Sequence, residues 1–234
     1  HVHGKTGLDG TELSLKNKKL EKDEASDFII KTLLENPQNK ITLCALGPLT
    51  NIATTLVRKP EVAIFIEEIV LMGGGFFEGG NITPAAEFNI YVDPEAAKIV
   101  LSSGVKITML PLDVTHKTLV ERKFLSKLRS SGKNSAIEAA KLLDFFERYD
   151  VQKYGSEGGP LHDPNVIVYL LNPEIYRGKL VNVEVEIKSD LTRGMTVVDW
   201  WGVTNRPKNV NYINEVNSND FFKHVLKNVL KLPK

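Results

Sequence analysis

Short apolar runs alternate with helix-like segments through the first half of the chain, and this alternation limits the possible folds more than any other feature. The runs are typical of strands covered on both faces, and they occupy Ile41–Leu46, Glu68–Met72 and Lys106–Leu110. The alternation at this spacing predicts a mostly parallel α/β sheet with right-handed crossovers. Ligands bind beyond the carboxyl ends of strands in such sheets, so the loops at 47–51 and 73–89 become candidate binding loops.

Capping residues and prolines predict where the helices lie. The predicted helices are 23–35, Thr50 or Asn51 to about Arg58, Asp93 to about Ser103, 121–131, 135–154, Asp163 to about Leu171, and Asn219–Leu232. An alternating segment at 181–187 predicts a half-exposed strand near a sheet edge, with 195–198 as its partner. Neither an internal repeat nor a linker is present, so residues 1–234 are expected to form one domain.

Composition excludes several classes of function. Thirty Lys and Arg against 29 Asp and Glu give a net charge of +1, which offers no basic field for nucleic acid. The apolar runs are too short for a membrane span. Cys44 is the one cysteine, which excludes an internal disulfide, and its apolar surroundings predict a small buried hydrophobe. A reducing, cytoplasmic setting is the default expectation.

Gly73-Gly74-Gly75 follows a predicted strand and permits two interpretations. Glycine-rich loops after strands can bind phosphate, but this triplet lacks the Lys-Ser/Thr ending of a P-loop and the spacing of a dinucleotide fingerprint. The alternative is a simple turn. A sugar- or nucleotide-binding module based on this loop stays open as a rival function.

The segment from Asn81 to Asn89 carries three side chains that can bond hydroxyl groups: Asn81, Glu87 and Asn89. A carboxylate between two amides suits a polyol such as a sugar, whose hydroxyls both donate and accept hydrogen bonds. The structural alternative is a loop whose asparagines satisfy their own backbone.

His162-Asp163-Pro164 also has two interpretations. Asp163 can be a helix N-cap before a proline in the first turn. It can instead be a metal-binding carboxylate beside a proton donor, His162. Tyr154 either reaches the same pocket or is the polar end of a core aromatic.

Taken together, these segments resemble the inosine/uridine-preferring nucleoside hydrolase family over nearly the whole chain. The similar segments are LCALGPLTNIA at 43–53, LMGGG at 71–75, GGNITPAAEFNIYVDPEAA at 79–97, GGPLHDP at 158–164 and RGMTVVD at 193–199. The resemblance implies a Rossmann-like single domain that hydrolyses the N-glycosidic bond of ribonucleosides, of pyrimidine or inosine type, to ribose and free base. It also implies Ca²⁺ as cofactor, a role in purine and pyrimidine salvage, and a homo-oligomer, either a dimer or a homotetramer.

The resemblance also implies a role for each matching residue. Asp163 and the backbone carbonyl of Leu46 match calcium ligands. His162 matches the histidine that assists departure of the base, and Tyr154 a tyrosine near that leaving group. The substrate-binding matches are Asn81, Glu87, Asn89 and Met72 around the ribose, and His3 on the nucleobase side.

One family feature has no match in this sequence. The family begins with a strand and an Asp-rich loop that supply most calcium ligands and the base that activates water, whereas no two Asp are adjacent here. The first strand of the fold is therefore expected to be missing. The alternative function is a non-catalytic truncated relative that binds ribosides or acts as an inactive subunit.

Overall fold

The computed structural model describes residues 7–11, 19–154 and 158–232, with the side chains of 146–154 left out. The described strands are β1 (Ile41–Ala45), β2 (Ile66–Met72), β3 (Ile107–Leu110), β4 (Tyr176–Val185), β5 (Thr196–Asp199) and β6 (Val210–Val216). The described α-helices are α1 (Ala25–Glu35), α2 (Thr50–Arg58), α3 (Phe88–Val92), α4 (Pro94–Leu101), α5 (Leu112–Thr115), α6 (Arg122–Arg129), α7 (Asn134–Tyr154), α8 (Pro164–Leu171) and α9 (Ser218–Val229). Short 3₁₀ helices cover Pro60–Phe65 and Pro173–Ile175.

The described strands form one sheet in the order β1-β2-β3-β6-β4-β5. The prediction of a mostly parallel α/β sheet is confirmed. Strands β1, β2, β3 and β6 run parallel, while β4 is antiparallel to both β6 and β5. The predicted partnership between the alternating strand and the segment at 195–198 is confirmed by the pairing of β4 with β5.

Helices cover both faces of the central strands. On β2, Ile69 and Leu71 pack into the cluster that includes α2 and α4. Val70 and Met72 point to the other face and pack with α8 and α9. Successive strand residues point to opposite faces, so a strand covered on both sides reads as an unbroken apolar run.

Strand β1 differs from this expectation. Its Leu43 packs against the core, but Cys44 on the opposite face is exposed, so the prediction of a buried thiol is wrong. Within the described part of the chain, β1 is the edge strand and no helix covers the Cys44 face. An apolar run therefore does not by itself show that both faces are buried.

Other sequence expectations also change. Thr50 lies inside α2 without capping it, and its hydroxyl instead donates to Asp93, whose other carboxylate oxygen caps α4. Asn182 is buried, although the alternation of β4 predicts an exposed side chain, because it donates to the Pro207 carbonyl. None of the described helices is long and apolar enough to cross a bilayer.

Candidate active site

The glycine triplet after β2 uses its backbone N–H groups within the protein. Gly73 donates to the Leu110 carbonyl, Gly74 to the Glu87 carboxylate at 3.0 Å, and Gly75 to the Thr196 hydroxyl at 3.0 Å. Gly74 adopts a φ of +78°, and a Cβ on Gly75 would collide with the carbonyl of a later residue in the loop. This arrangement favours the tight-turn interpretation over a phosphate-binding loop.

Glu87 lies at the centre of this loop, with only 3% of its surface exposed. Its carboxylate accepts from the backbone N–H groups of Gly74 at 3.0 Å, Asn89 at 2.9 Å and Ile90 at 3.3 Å. It thereby caps α3 and ties the end of β2 to the helix start. Burial raises the pKa of Glu87 to about 7 despite these donors, and the negative charge of Asp163 adds to the rise.

Asn89 and Asn81 brace the same loop. The Asn89 amide donates to the Met72 carbonyl at 3.1 Å and approaches the Met72 sulfur at 3.4 Å. The Asn81 oxygen accepts from the Phe88 N–H at 2.9 Å. The structure thus brings Met72, Asn81, Glu87 and Asn89 together beyond the carboxyl end of β2, and each has a structural role there.

Asp163 immediately precedes α8, at the N-cap position, but its carboxylate makes no capping hydrogen bond. Its backbone is already helical, with φ −64° and ψ −36°, whereas a capping residue is usually extended. Burial raises the pKa of Asp163, and no described residue donates a hydrogen bond to its carboxylate. A half-buried carboxylate without a donor favours the ligand-binding interpretation over the capping one.

His162 lies against two residues that follow β3. Its Nδ1 is 2.7 Å from the Thr115 hydroxyl, and its ring centroid is 5.7 Å from that of His116. His116 in turn is 3.2 Å from a carboxylate oxygen of Glu78. Burial and the neighbouring His116 lower the pKa of His162 to about 3, so the ring is neutral at neutral pH.

Sequence reasoning missed Asp113, a buried residue that organises the loop after the glycines. Its carboxylate accepts from the backbone N–H groups of Phe76, Phe77 and Glu78, and from the Tyr212 hydroxyl. It also missed Thr115 and Thr196. Asp113 and Thr115 lie three and five positions after Leu110, where a predicted strand ends, and that position was the available signal.

For the remaining predicted site residues, the structure gives a position but few contacts, or does not describe them. Leu46 directly follows β1, at the same edge of the sheet as Met72, and 43% of its surface is exposed. Tyr154 is the last residue of α7, and the structure does not describe its side chain. His3 lies outside the described residues.

The described residues do not complete a calcium site. They contain no group of three or more His, Cys, Asp or Glu side chains arranged to hold a metal ion. The Asp163 carboxylate suits a hard cation, but Ca²⁺ takes about six to eight oxygen ligands. Asp163 and the Leu46 carbonyl supply too few of them.

Comparison with known families decides the identity of the chain. The sequence model described as "Inosine-uridine preferring nucleoside hydrolase" matches residues 1–223. The chain belongs to this family. The resemblance predicted from the motifs is thereby confirmed.

Individual similar proteins include named nucleoside hydrolases. The pyrimidine-specific ribonucleoside hydrolase RihA of Photobacterium profundum is 45% identical over 94% of the chain and 71% of its own length. An uncharacterized protein of Schizosaccharomyces pombe is 46% identical over 100% of the chain and 75% of its own length. The purine-preferring ribonucleoside hydrolase of Gardnerella vaginalis has a TM-score of 0.89 at 30% identity, covering 98% of this chain and 72% of that one.

Proposed function

We propose that this protein hydrolyses the N-glycosidic bond of ribonucleosides, releasing ribose and the free base. The observation that carries the proposal is the unpaired Asp163 carboxylate, which lies beside His162 and within electrostatic range of the buried Glu87. In a chain of this family, these groups at the carboxyl edge of a parallel sheet form a site for a small polar ligand.

The chemistry of the bond matches this distribution of charge. Breaking it develops positive charge on the ribose ring and negative charge on the departing base. Asn81, Glu87 and Asn89, with Met72, are proposed to hold the ribose, where carboxylate and amide oxygens favour the developing positive charge. His162 is proposed to assist the departing base, with Tyr154 near the leaving group and His3 on the nucleobase side.

We assign Ca²⁺ as the metal of the complete site, with Asp163 and the Leu46 carbonyl as two of its ligands. Nucleoside hydrolases are in general metal-dependent. A hard cation suits these oxygens and the hydroxyls of ribose, and it would lower the pKa of a bound water. The Asp-rich strand and loop to which the family resemblance assigns the other protein ligands has no match in residues 1–234.

Base preference, assembly and compartment are further parts of the proposal. The pyrimidine-specific and purine-preferring names of two relatives differ. A histidine beside the proposed calcium Asp favours a pyrimidine-tolerant or nonspecific enzyme. A homo-oligomer, dimer or homotetramer, in the cytoplasm, with a salvage role, is proposed from the family resemblance.

A non-catalytic riboside-binding relative or inactive subunit is the second candidate. The observation that favours it is the absence of a metal-holding group among the residues that the structure describes. The two candidates differ in turnover and agree in ligand binding.

Ribose release distinguishes the two functions. The full-length protein is incubated with uridine, cytidine and inosine in the presence of Ca²⁺, and reducing sugar and free base are measured. Release of equal amounts of both products from at least one nucleoside supports hydrolysis. Binding of a nucleoside by calorimetry without any release favours the non-catalytic relative.

A further inference from the structure

The contact between Thr115 and His162 determines which nitrogen of the histidine carries hydrogen. Thr115 is the last residue of α5 and is fully buried. Its hydroxyl oxygen lies 2.7 Å from His162 Nδ1, which is a short hydrogen bond. Because a hydroxyl and an imidazole nitrogen can each donate or accept, the direction of this bond must be worked out from the other partners.

The surroundings of Thr115 decide the direction. Among the described residues, His162 Nδ1 is the one hydrogen-bond partner of the Thr115 side chain. If Nδ1 carried the hydrogen and donated it, the buried hydroxyl would be left with its own hydrogen unpaired, which is costly. If the hydroxyl donates to Nδ1, both buried atoms are satisfied.

A hydroxyl that donates to Nδ1 requires the neutral tautomer with hydrogen on Nε2. No described residue forms a hydrogen bond with Nε2. The ring therefore keeps an N–H donor that no described residue accepts, and the next residue in the chain is Asp163, whose carboxylate accepts no capping hydrogen bond. A donor here suits an acceptor atom on a ligand, such as a carbonyl oxygen of a nucleobase.

We infer that Thr115 is a positioning residue: its hydroxyl holds the His162 ring through Nδ1, so that the Nε2–H group is the one that donates a hydrogen bond to the departing base. The inference rests on the proposed hydrolysis and refines it. In the step, the glycosidic electron pair moves onto the base and the oxygen of the attacking water bonds to the ribose carbon. That water releases one proton to solvent, the base takes up one proton from solvent, and the Nε2–H of His162 bonds to the base as its negative charge develops.

Two substitutions at Thr115 distinguish the effect of losing the hydroxyl group from the effect of losing side-chain packing. Thr115→Val keeps the shape and removes the hydrogen bond, while Thr115→Ser keeps the hydroxyl and removes a methyl group. In Thr115→Val we expect kcat for uridine or inosine to fall about 10- to 100-fold, by analogy with the loss of a hydrogen-bond partner that orients a metal-binding histidine. KM should change much less, and Thr115→Ser should retain most of kcat.

Comparing two substrates with different leaving groups distinguishes loss of the hydrogen bond from misfolding, because misfolding lowers both rates equally. p-Nitrophenyl riboside has a leaving group that departs readily without a hydrogen bond, so Thr115→Val should hydrolyse it at nearly the wild-type rate. An equal loss on both substrates, or an equal loss in Thr115→Ser, would overturn the inference.

The tautomer itself can be observed without activity. ¹⁵N NMR of histidine-labelled full-length protein, with His162→Gln to assign the signal, should show His162 with hydrogen on Nε2, and Thr115→Val should show a mixture of tautomers. Hydrogen on Nδ1 in the wild type would overturn the inference. If the tautomer is as expected but no nucleoside is cleaved, the proposed function fails while the assignment of the tautomer stands.

Discussion

Two acidic residues at the same edge of the sheet are used in opposite ways. Glu87 follows β2 and accepts hydrogen bonds from three backbone N–H groups. Asp163 precedes α8 and accepts none from the described residues, although it occupies a position where a capping bond is expected. Burial raises the pKa of both carboxyl groups.

The difference shows which carboxylate the fold itself requires. Removing Glu87 would leave buried N–H groups of Gly74, Asn89 and Ile90 without an acceptor, which destabilises the loop. Removing Asp163 would leave no described group without a partner. A desolvated carboxylate that stabilises nothing within the protein is best explained by a ligand.

Replacing Asp163 tests the functional half of this comparison and has the largest expected effect. Asp163→Ala should lower nucleoside hydrolysis by at least about 10²-fold, comparable to losing a major electrostatic contact in a transition state. The free energy of unfolding should change by less than about 1 kcal/mol, since no internal hydrogen bond is lost. Ribose release and urea denaturation measure the two effects, and Asp190→Ala on the exposed surface is the matched control.

Replacing His162, the residue before Asp163, tests whether this part of the site acts on the leaving group. His162→Ala should slow the hydrolysis of uridine or inosine by about 10²-fold, since the departing base loses its donor. Hydrolysis of p-nitrophenyl riboside should change little, because its leaving group needs less help. His224→Ala on α9 serves as the control, and an equal loss on every substrate would show that His162 does not act on the leaving group.

The pH dependence of stability tests the structural role of Glu87. The pKa of Glu87 is about 7 in the folded protein and ordinarily 4.5, so the folded state holds this proton more tightly. Its contribution to stability is therefore complete below pH 4.5 and is lost as the pH rises through about 7, with a total of up to about 3 kcal/mol.

Glu87→Gln should remove this dependence of the free energy of unfolding on pH, because glutamine does not titrate. Glu67→Gln, at an exposed position on β2, should keep it. Urea denaturation of both variants between pH 4.5 and 7.5 gives the comparison. An unchanged slope in Glu87→Gln would contradict the raised pKa.

Much of the fold could be predicted from the chain, and the exceptions have physical reasons. Strand β2 was predictable because it is covered on both faces and its run is unbroken. Strand β6 was missed although it lies between β3 and β4, because its apolar residues are interrupted by Asn211 and Asn214. The Asn211 amide reaches the Thr108 hydroxyl, a partner 103 positions away that no local pattern reveals.

The candidate site was predictable as a set of residues but not as a set of contacts. Motif resemblance indicated Glu87, His162 and Asp163, and the structure brings Glu87 and Asp163 within electrostatic range. It did not indicate that Glu87 is a helix cap or that Asp163 is not one. Those outcomes depend on backbone angles and on partners from other strands, such as Thr115 after β3.

The division of roles between Glu87 and Asp163 is tested most directly by measuring thermal unfolding and uridine or inosine hydrolysis in Glu87→Ala and Asp163→Ala of the full-length protein. We predict that Glu87→Ala lowers Tm by about 4–8 °C, which corresponds to about 2 kcal/mol in a chain of this size. Asp163→Ala should keep the wild-type Tm and lose hydrolysis. A large fall in Tm in Asp163→Ala, or retained hydrolysis in that variant, would contradict the account.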